Sequence, residues 1–427
     1  MADVITNSNR DSSLINALQS VSTHDPMRYS LSESLPNNGM EIVKLSPATA
    51  LSGTSTNEVK FRLPPNQFLV DGFLKYSAAA GSTNSGTVSA YRGAMAFSEF
   101  RIDSRDGSLQ VVTPEVLVYD ALSRGSNAEI ANKKLAMGGS SALTASATTD
   151  SLANNYYVPL GGLFALDSPQ QAYDCRFFQE LSLVCKPRTV SEVDGRGSAS
   201  HHASDALTLY AKYVKYDEES YKEYVNSTFK NQSKLQQRLS WSIYDEDSTG
   251  GTSVAVTQVV GRAWNCPHVI TETFIFVRDN TEQNTNKNLF SFQGIKSLTI
   301  RGNGREIYKC DDMLGSNLCM HKDQGAIDVT SLGVSAPTAA QVGIEYAALS
   351  HGAHNIVKID WRLQKLPDEE NMRDSFTGGL AAGAMSSKNF DVDFIDGGNS
   401  RVYMQHRISQ LVQIDSRNGG ISVSARS

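Results

Sequence analysis

Hydrophobic and polar residues alternate with period two along most of the chain from residue 57 onward. In "EVKFRLPP", Val59, Phe61 and Leu63 fall on one side and Lys60 and Arg62 on the other, and the double proline ends the run. "FLVDGFLKYSAAA", "MAFSEFRIDS", "NYYVPLGGLFALDS" and "CRFFQELSLVCKP" read as further strands, and "ALTLYAKYVKY" alternates through Leu207, Leu209, Ala211 and Tyr213. Beyond residue 250 the pattern resumes in "VAVTQVVGRAW", "VITETFIFVRD", "IKSLTIRG", "REIYKC", "GIEYAAL", "NIVKIDWRLQ", "FDVDFID", "VYMQHRISQLVQID" and "ISVSARS". "TPEVLVYDALSRG" breaks it: Thr113 as cap, Pro114 in the first turn and Gly125 past the end predict a short helix. "DDMLGSNLCMHKD" holds the corresponding place in the second half, as a short helix or loop. Two runs of about eight short strands, with turn signals and no alternation of strand and long helix, predict sandwiches or barrels.

The turns repeat. "RIDSRDGSLQV", residues 101 to 111, recurs as "QIDSRNGGISV", residues 413 to 423, with six of eleven positions identical, and "TIRGNGREIY" from Thr299 to Tyr308 has the same shape. Type I′ turns need positive φ at both central residues, which Asn, Asp and Gly tolerate best. Asp106-Gly107, Asn303-Gly304 and Asn418-Gly419 are therefore expected at hairpin tips or bulged corners. The first and last copies lie 312 residues apart, more than half the chain, which excludes the register of a two-fold duplication. The offset of 198 from Ile102 to Ile300 is compatible with one.

Residues 1–56 read as an arm, polar and slightly acidic, with Arg10, Arg28 and Lys44 against five carboxylates. Within it, "SSLINALQSV" places Leu14, Ile15, Leu18 and Val21 on one helical stripe behind a serine cap. A helix of this length is marginal alone, so it is expected to form by docking. Residues 57–216 and 250–427 make two domains, and the polar stretch 217–249 reads as the joint, with an Asp/Ser/Gly-rich linker from Trp241.

Net charge is −6, and with the acidic arm this excludes a protein that condenses nucleic acid through its own basic residues. Five cysteines are too few for a disulfide framework; Cys175 and Cys185 sit ten apart in what reads as one extended segment, beyond bridging distance. The start lacks the charged and apolar regions of a secretion signal, and no apolar run reaches membrane-spanning length, so folding in a reducing cytosol is expected. No nucleophile elbow, phosphate loop, dinucleotide fingerprint or zinc-protease motif occurs. "DVDFIDGG" (Asp391, Asp393, Asp396) fails as a calcium loop because Ile395 and Asp396 stand where an oxygen ligand and a glycine are needed. His351 and His354, with Cys310, Cys319 and His321 upstream, are spaced too widely for zinc, and Glu369-Glu370 reads as a solvated loop. No catalytic, cofactor or metal site is expected.

Several stretches resemble the double jelly-roll major capsid proteins, the lineage of adenovirus hexon and tailless membrane-containing phages. "VKFRLPPNQFLVDGFLKYSA" resembles the entry into the first roll, and "FSEFRIDSRDGSLQ" with its following helix the strand-hairpin-helix unit. "YYVPLGGLFALDSPQQAYDCRFFQELSLVCKP" is similar to the family's Pro-Leu-Gly-Leu-Phe stretch, and "LTLYAKYVKYDEESYKEY" to the strand leading to the inter-roll joint. "DSFTGGLAAGAMSSKNFDVDF" and "ISQLVQIDSRNGGISVSARS" resemble closing strands of a second roll. The likeness covers residues 57 to 427 and lies in hydrophobicity and turns rather than in strict motifs.

The resemblance implies an all-β fold of two consecutive eight-stranded jelly rolls, with short helices and long loops. It implies homotrimeric, pseudo-hexagonal capsomers in the icosahedral shell of a virion, made in the host cytoplasm. Neighbouring capsomers, penton and minor capsid proteins would be the partners, and the arm would tie neighbours or face an internal membrane. Alternatives are a non-catalytic attachment or carbohydrate-binding β-sandwich using loop aromatics such as Tyr156-Tyr157 or Trp241 with Tyr244, a sandwich hydrolase, and a single jelly roll with a protruding domain.

Overall fold

The computed structural model describes residues 39–49, 51, 57–65, 68–77, 91–105, 107–123, 127–138, 155–164, 173–176, 180–189, 206–215, 218–219, 221–222, 235–247, 258–279, 289–290, 292–313, 316, 356–361, 379–394, 400–414 and 421–425. The first set of strands is β1 (Gly39–Leu45), β2 (Val59–Arg62), β3 (Phe68–Ser77), β4 (Phe97–Ser104), β5 (Gly107–Val112), β6 (Asn155–Pro159), β7 (Tyr173–Asp174), β8 (Ser182–Pro187) and β9 (Ala206–Lys215). The second is β10 (Leu235–Asp247), β11 (Gln258–Ala263), β12 (Val269–Asp279), β13 (Phe292–Gln293), β14 (Ile295–Gly302), β15 (Arg305–Cys310), β16 (Val357–Asp360), β17 (Leu380–Ala381), β18 (Lys388–Phe394), β19 (Ser400–Ile414) and β20 (Ile421–Ala425). Among the described residues, the first half also holds the helices α1 (Arg92–Met95), α2 (Pro114–Ser123), α3 (Asn127–Ala136) and α4 (Gly161–Phe164).

Each half is a two-sheet sandwich. In the first, one sheet runs β1-β9-β3-β6 and the other β2-β8-β4-β5; in the second, the sheets run β10-β19-β12, with β16 also on β12, and β11-β18-β14-β15. Every pairing of the first half recurs in the second, all antiparallel, down to the two-residue strands β7 on β3 and β17 on β12. This interleaved order is a jelly roll, made twice. The bulges repeat too. β3 slips against β9 between Leu69 and Asp71, as β12 slips against β19 between Ile270 and Glu272. β4 slips against β5 after Ile102, and β14 against β15 after Ile300. The offset of 198 is therefore the register of two corresponding strands. The recurrence of 101–111 at 413–423 is not: the latter leads from β19 to β20, which has no counterpart among the described residues of the first roll. Two rolls also replace the alternative of one roll with a protruding domain.

The alternating pattern translates into burial as expected for half-covered sheets. Val59 and Phe61 on β2 are buried and Lys60 and Arg62 exposed; Leu207, Leu209, Ala211 and Tyr213 on β9 all face the core. Two boundaries move. Gly39–Leu45, read from the sequence as arm, is a strand paired along its whole length with β9. Leu235–Asp247, read as joint and linker, is β10, paired with β19. Both are polar strands at the edges of their sheets, and neither carries the apolar density that marks a strand in isolation. "CRFFQELSLVCKP" is not one segment: Cys175 follows β7, Glu180 turns the chain at φ 53°, and Cys185 sits in the opposite sheet on β8.

Candidate functional site

The most heavily built polar site in the described residues lies where the rolls meet. Helix α2 follows β5 and is apolar almost all round, with Val116, Leu117, Val118, Tyr119 and Leu122 buried. A helix of that kind must be covered on both sides. One side closes the end of the first roll; the other lies on the outward face of the second roll's sheet. There Tyr119 meets the Phe274 ring edge-on at 5.6 Å, and Phe274 and Phe276 join the first roll's hydrophobic core. Phe276 stacks on Tyr403 at 5.1 Å, and Tyr91 packs on Phe290 at 4.6 Å. Strand β5 lies alongside β10.

Charged groups are set into this apolar contact. Glu115 of α2 accepts hydrogen bonds from Arg278 on β12 and, at 3.3 Å, from Arg188 of its own roll. Arg278 also donates to the Tyr403 hydroxyl at 3.3 Å and lies over that ring. Thr113 stands just before the helix, its carbonyl accepting from the Leu117 N–H at 3.0 Å, and sends its hydroxyl across to Gln405 on β19 at 2.6 Å. Glu272 is held between Arg407 at 2.9 Å and Lys358 at 3.0 Å. Burial, with the Asp120 and Glu272 charges nearby, pushes the Tyr119 phenol well above its usual range. Buried charges persist only when paired and hydrogen-bonded, and these partners come from both rolls. The arrangement fixes one roll on the other; it presents no group poised for proton transfer.

The hairpin residues lie elsewhere. Asn303 and Gly304 form the two-residue loop between β14 and β15, with φ of 52° and 75°. The Asn303 side chain accepts from the Ser386 backbone N–H at 2.8 Å, tying the hairpin to the approach to β18. In the first hairpin the closing pair is Ser104 with Gly107, beside the bulge at Ile102/Asp103. Gly107, at φ 140°, is the first residue of β5; Asp106 lies outside the described residues. Asn418 and Gly419, and the arm residues Leu14, Ile15, Leu18 and Val21, also lie outside them.

Among the described residues no three His, Cys, Asp or Glu side chains converge as metal ligands. Asp391 accepts from Arg301 and the Gly261 N–H, and Asp393 from Ser297; His321, His351, His354, Cys319, Glu369, Glu370 and Asp396 lie outside the described residues. Tyr156 and Tyr157, read as loop aromatics, lie on β6 with Tyr156 in the core. No helix among the described residues is long and apolar enough to cross a membrane.

No protein-family model matches the sequence, and no curated protein is significantly similar to it. Solved structures are. The PBCV-1 virus capsid matches with a TM-score of 0.63 at 11% identity, over 93% of this chain and 100% of that one. The Faustovirus major capsid protein matches with 0.55 at 9% identity, over 90% of this chain and 92% of that one. The Sputnik virophage structure matches with 0.53 at 11% identity, over 93% and 90%. At such identities the likeness is one of fold: the chain is a double jelly roll, the fold built by these viral capsid proteins.

Proposed function

We propose that the chain is the major capsid protein of an icosahedral virus, a structural subunit without catalytic activity that works as a homotrimer. Three chains contribute six rolls to a pseudo-hexagonal capsomer, and capsomers tile the shell. The observation that carries this reading is the buried, charge-locked junction between the rolls. A protein whose work is geometric needs two rolls held at one angle, and the groups buried between α2 and β12 serve that end. The double jelly-roll likeness to capsid structures supports the same reading, although a fold alone does not fix a function. Neighbouring capsomers, penton and minor capsid proteins are the proposed partners, and residues 1–38 the proposed tie to neighbours or to an internal membrane.

Light scattering on the purified protein at low micromolar concentration tests it. The expected mass is three times 46.4 kDa, or that of larger regular particles. A monomer that persists under assembly conditions overturns it.

A further inference from the structure

The two rolls fill one matching place differently. Past the repeated bulge, Gly72 and Ala211 pair on β3 and β9 where Thr273 and His406 pair on β12 and β19. In the first roll the buried Phe164 ring of α4 packs against Gly72. The second roll sets a buried imidazole at the corresponding place. The fold therefore does not itself require the histidine. We propose that His406 is an acid-operated latch: its protonation releases the corner of the second roll formed by residues 264–268 and 380–388, while the rest of both rolls keeps its fold. The latch acts within one chain, whatever the chain assembles into. In a shell subunit it makes the second roll the acid-sensitive part.

Lys388 holds the corner together. Its ammonium donates to the Cys266 carbonyl at 3.2 Å and to the Ala382 carbonyl at 2.8 Å, one on each segment. The Trp264 backbone N–H donates to the Lys388 carbonyl at 3.1 Å. The segments also pack closely: a Cβ built on Gly383 would stand 2.5 Å from the Pro267 carbonyl oxygen. Within the corner, the Trp264 and His406 rings lie with centroids 5.0 Å apart, and the Lys388 Nζ is 5.8 Å from the Trp264 ring centre. Trp264, Cys266 and His406 are all buried.

The groups that face the imidazole do not suit an imidazolium. From β12, the Thr273 hydroxyl stands 3.1 Å from Nδ1 and also accepts from the Trp361 indole N–H at 2.8 Å. From β18 comes the Lys388 ammonium, whose positive charge reaches the ring. From the end of β11 come the Trp264 indole and, two residues on, Cys266. Ser242 stands opposite in register on β10. Glu272, with Arg407 and Lys358, is paired on the other face of the same sheet. An imidazolium needs acceptors for both of its N–H groups. Among the described residues Nε2 has no hydrogen-bond partner, and neither has the indole nitrogen of Trp264. Burial and the Lys388 charge accordingly depress the His406 pKa to about 3. Lifting the corner lets water solvate both cations, and water replaces the carbonyls that Lys388 gives up. His268 lies part-buried on the same segment, where burial lowers its pKa too, and it serves as the control.

Cys266 reports the opening. Dithiodipyridine, which labels thiols in acid as well as at neutral pH, is applied to the full chain from pH 7 to pH 4.5, and the labelled peptides are measured by mass spectrometry. Rates are divided by those of the urea-unfolded chain at the same pH. Cys266 labelling is expected to rise about 25-fold from pH 7 to pH 5, the change given by one proton taken up between pKa values of about 3 and 6.5. Cys185, buried in the first roll, is expected to stay protected, which separates release of the corner from global unfolding. His406→Gln should lose the rise and His268→Gln should keep it. A Cys266 rate that does not change with pH, a parallel rise at Cys185, a rise that persists in His406→Gln, or its loss in His268→Gln overturns the proposal. The wild-type and His268→Gln measurements decide alone if His406→Gln does not fold.

Discussion

Glu115 on α2 and Arg278 on β12 form an ion pair across the two rolls with 3% and 2% of their side chains exposed. Arg188 completes the site from the first roll. The Glu115 carboxylate therefore serves two guanidiniums. Removing it takes their shared carboxylate from the buried Arg278 and the part-buried Arg188. Glu115→Ala is expected to destabilise the protein by about 3–5 kcal/mol, the usual cost of breaking a buried ion pair by removing one partner. Urea unfolding followed by tryptophan fluorescence reads the loss. A double-mutant cycle with Arg278→Met is expected to recover part of it, since the second change removes the buried charge that Glu115 faced. Additive losses would mean that the pair does not couple the rolls.

The turn at Asn303 offers a local test. Asn303 sits at φ 52°, and its side-chain oxygen accepts hydrogen bonds from the Ser386 N–H and from the Ser386 hydroxyl at 3.0 Å. Asn303→Ala removes those bonds and places an ordinary side chain in the left-handed region. The expected cost is about 1–3 kcal/mol. Asn303→Gly restores the backbone freedom without the bonds and should lose less than the alanine variant. Thermal melts of the three proteins decide; an alanine variant as stable as wild type would show that the hairpin is held by its strands alone.

Close packing sets a third. A Cβ built on Gly72 would stand 2.5 Å from the Phe164 ring and 2.8 Å from the Tyr210 carbonyl oxygen. The ring can shift but the backbone oxygen, held in the sheet, cannot easily do so. Gly72→Ala is expected to cost about 1–3 kcal/mol through overpacking, seen as a lower melting temperature. Gly39→Ala, where nothing lies within 4 Å, is the control and should be close to neutral.

His406 predicts a dependence on pH. The ring is buried in the second roll beside Trp264, with Nδ1 3.1 Å from the Thr273 hydroxyl, and burial together with the Lys388 charge depresses its pKa to about 3. An unfolded chain protonates this histidine near 6.5. Below that value the unfolded state binds the extra proton, so stability is whole above pH 6.5 and is lost as pH falls toward 3. At pH 5 the loss from this one group is about 2 kcal/mol. His406→Gln should flatten the decline in stability between pH 7 and pH 5 measured by urea titration; an unchanged slope would assign the decline to other groups.

The alternation of Val59 and Phe61, or of Leu207 through Tyr213, needs only the neighbours along the chain, because a strand with one face on a core writes its period into the sequence. The Asn303-Gly304 turn was legible for the same reason: positive φ is a local demand that few residues meet. So were the α2 helix, with Thr113 and Pro114 at its start, and the match of Ile102 to Ile300, since both rest on short-range pattern. Strands β1 and β10 were not legible. Their pairing energy comes from β9 and β19, more than 150 residues away in each case, and each is hydrogen-bonded to a sheet neighbour on one side only. The roles of Glu115, Arg278 and Gln405 were hidden for a stronger reason. A glutamate in the first turn of a helix and an arginine ending a strand look like ordinary solvent-facing charges. Only the packing of one roll on the other removes the water from them, and with it the freedom of either roll to move.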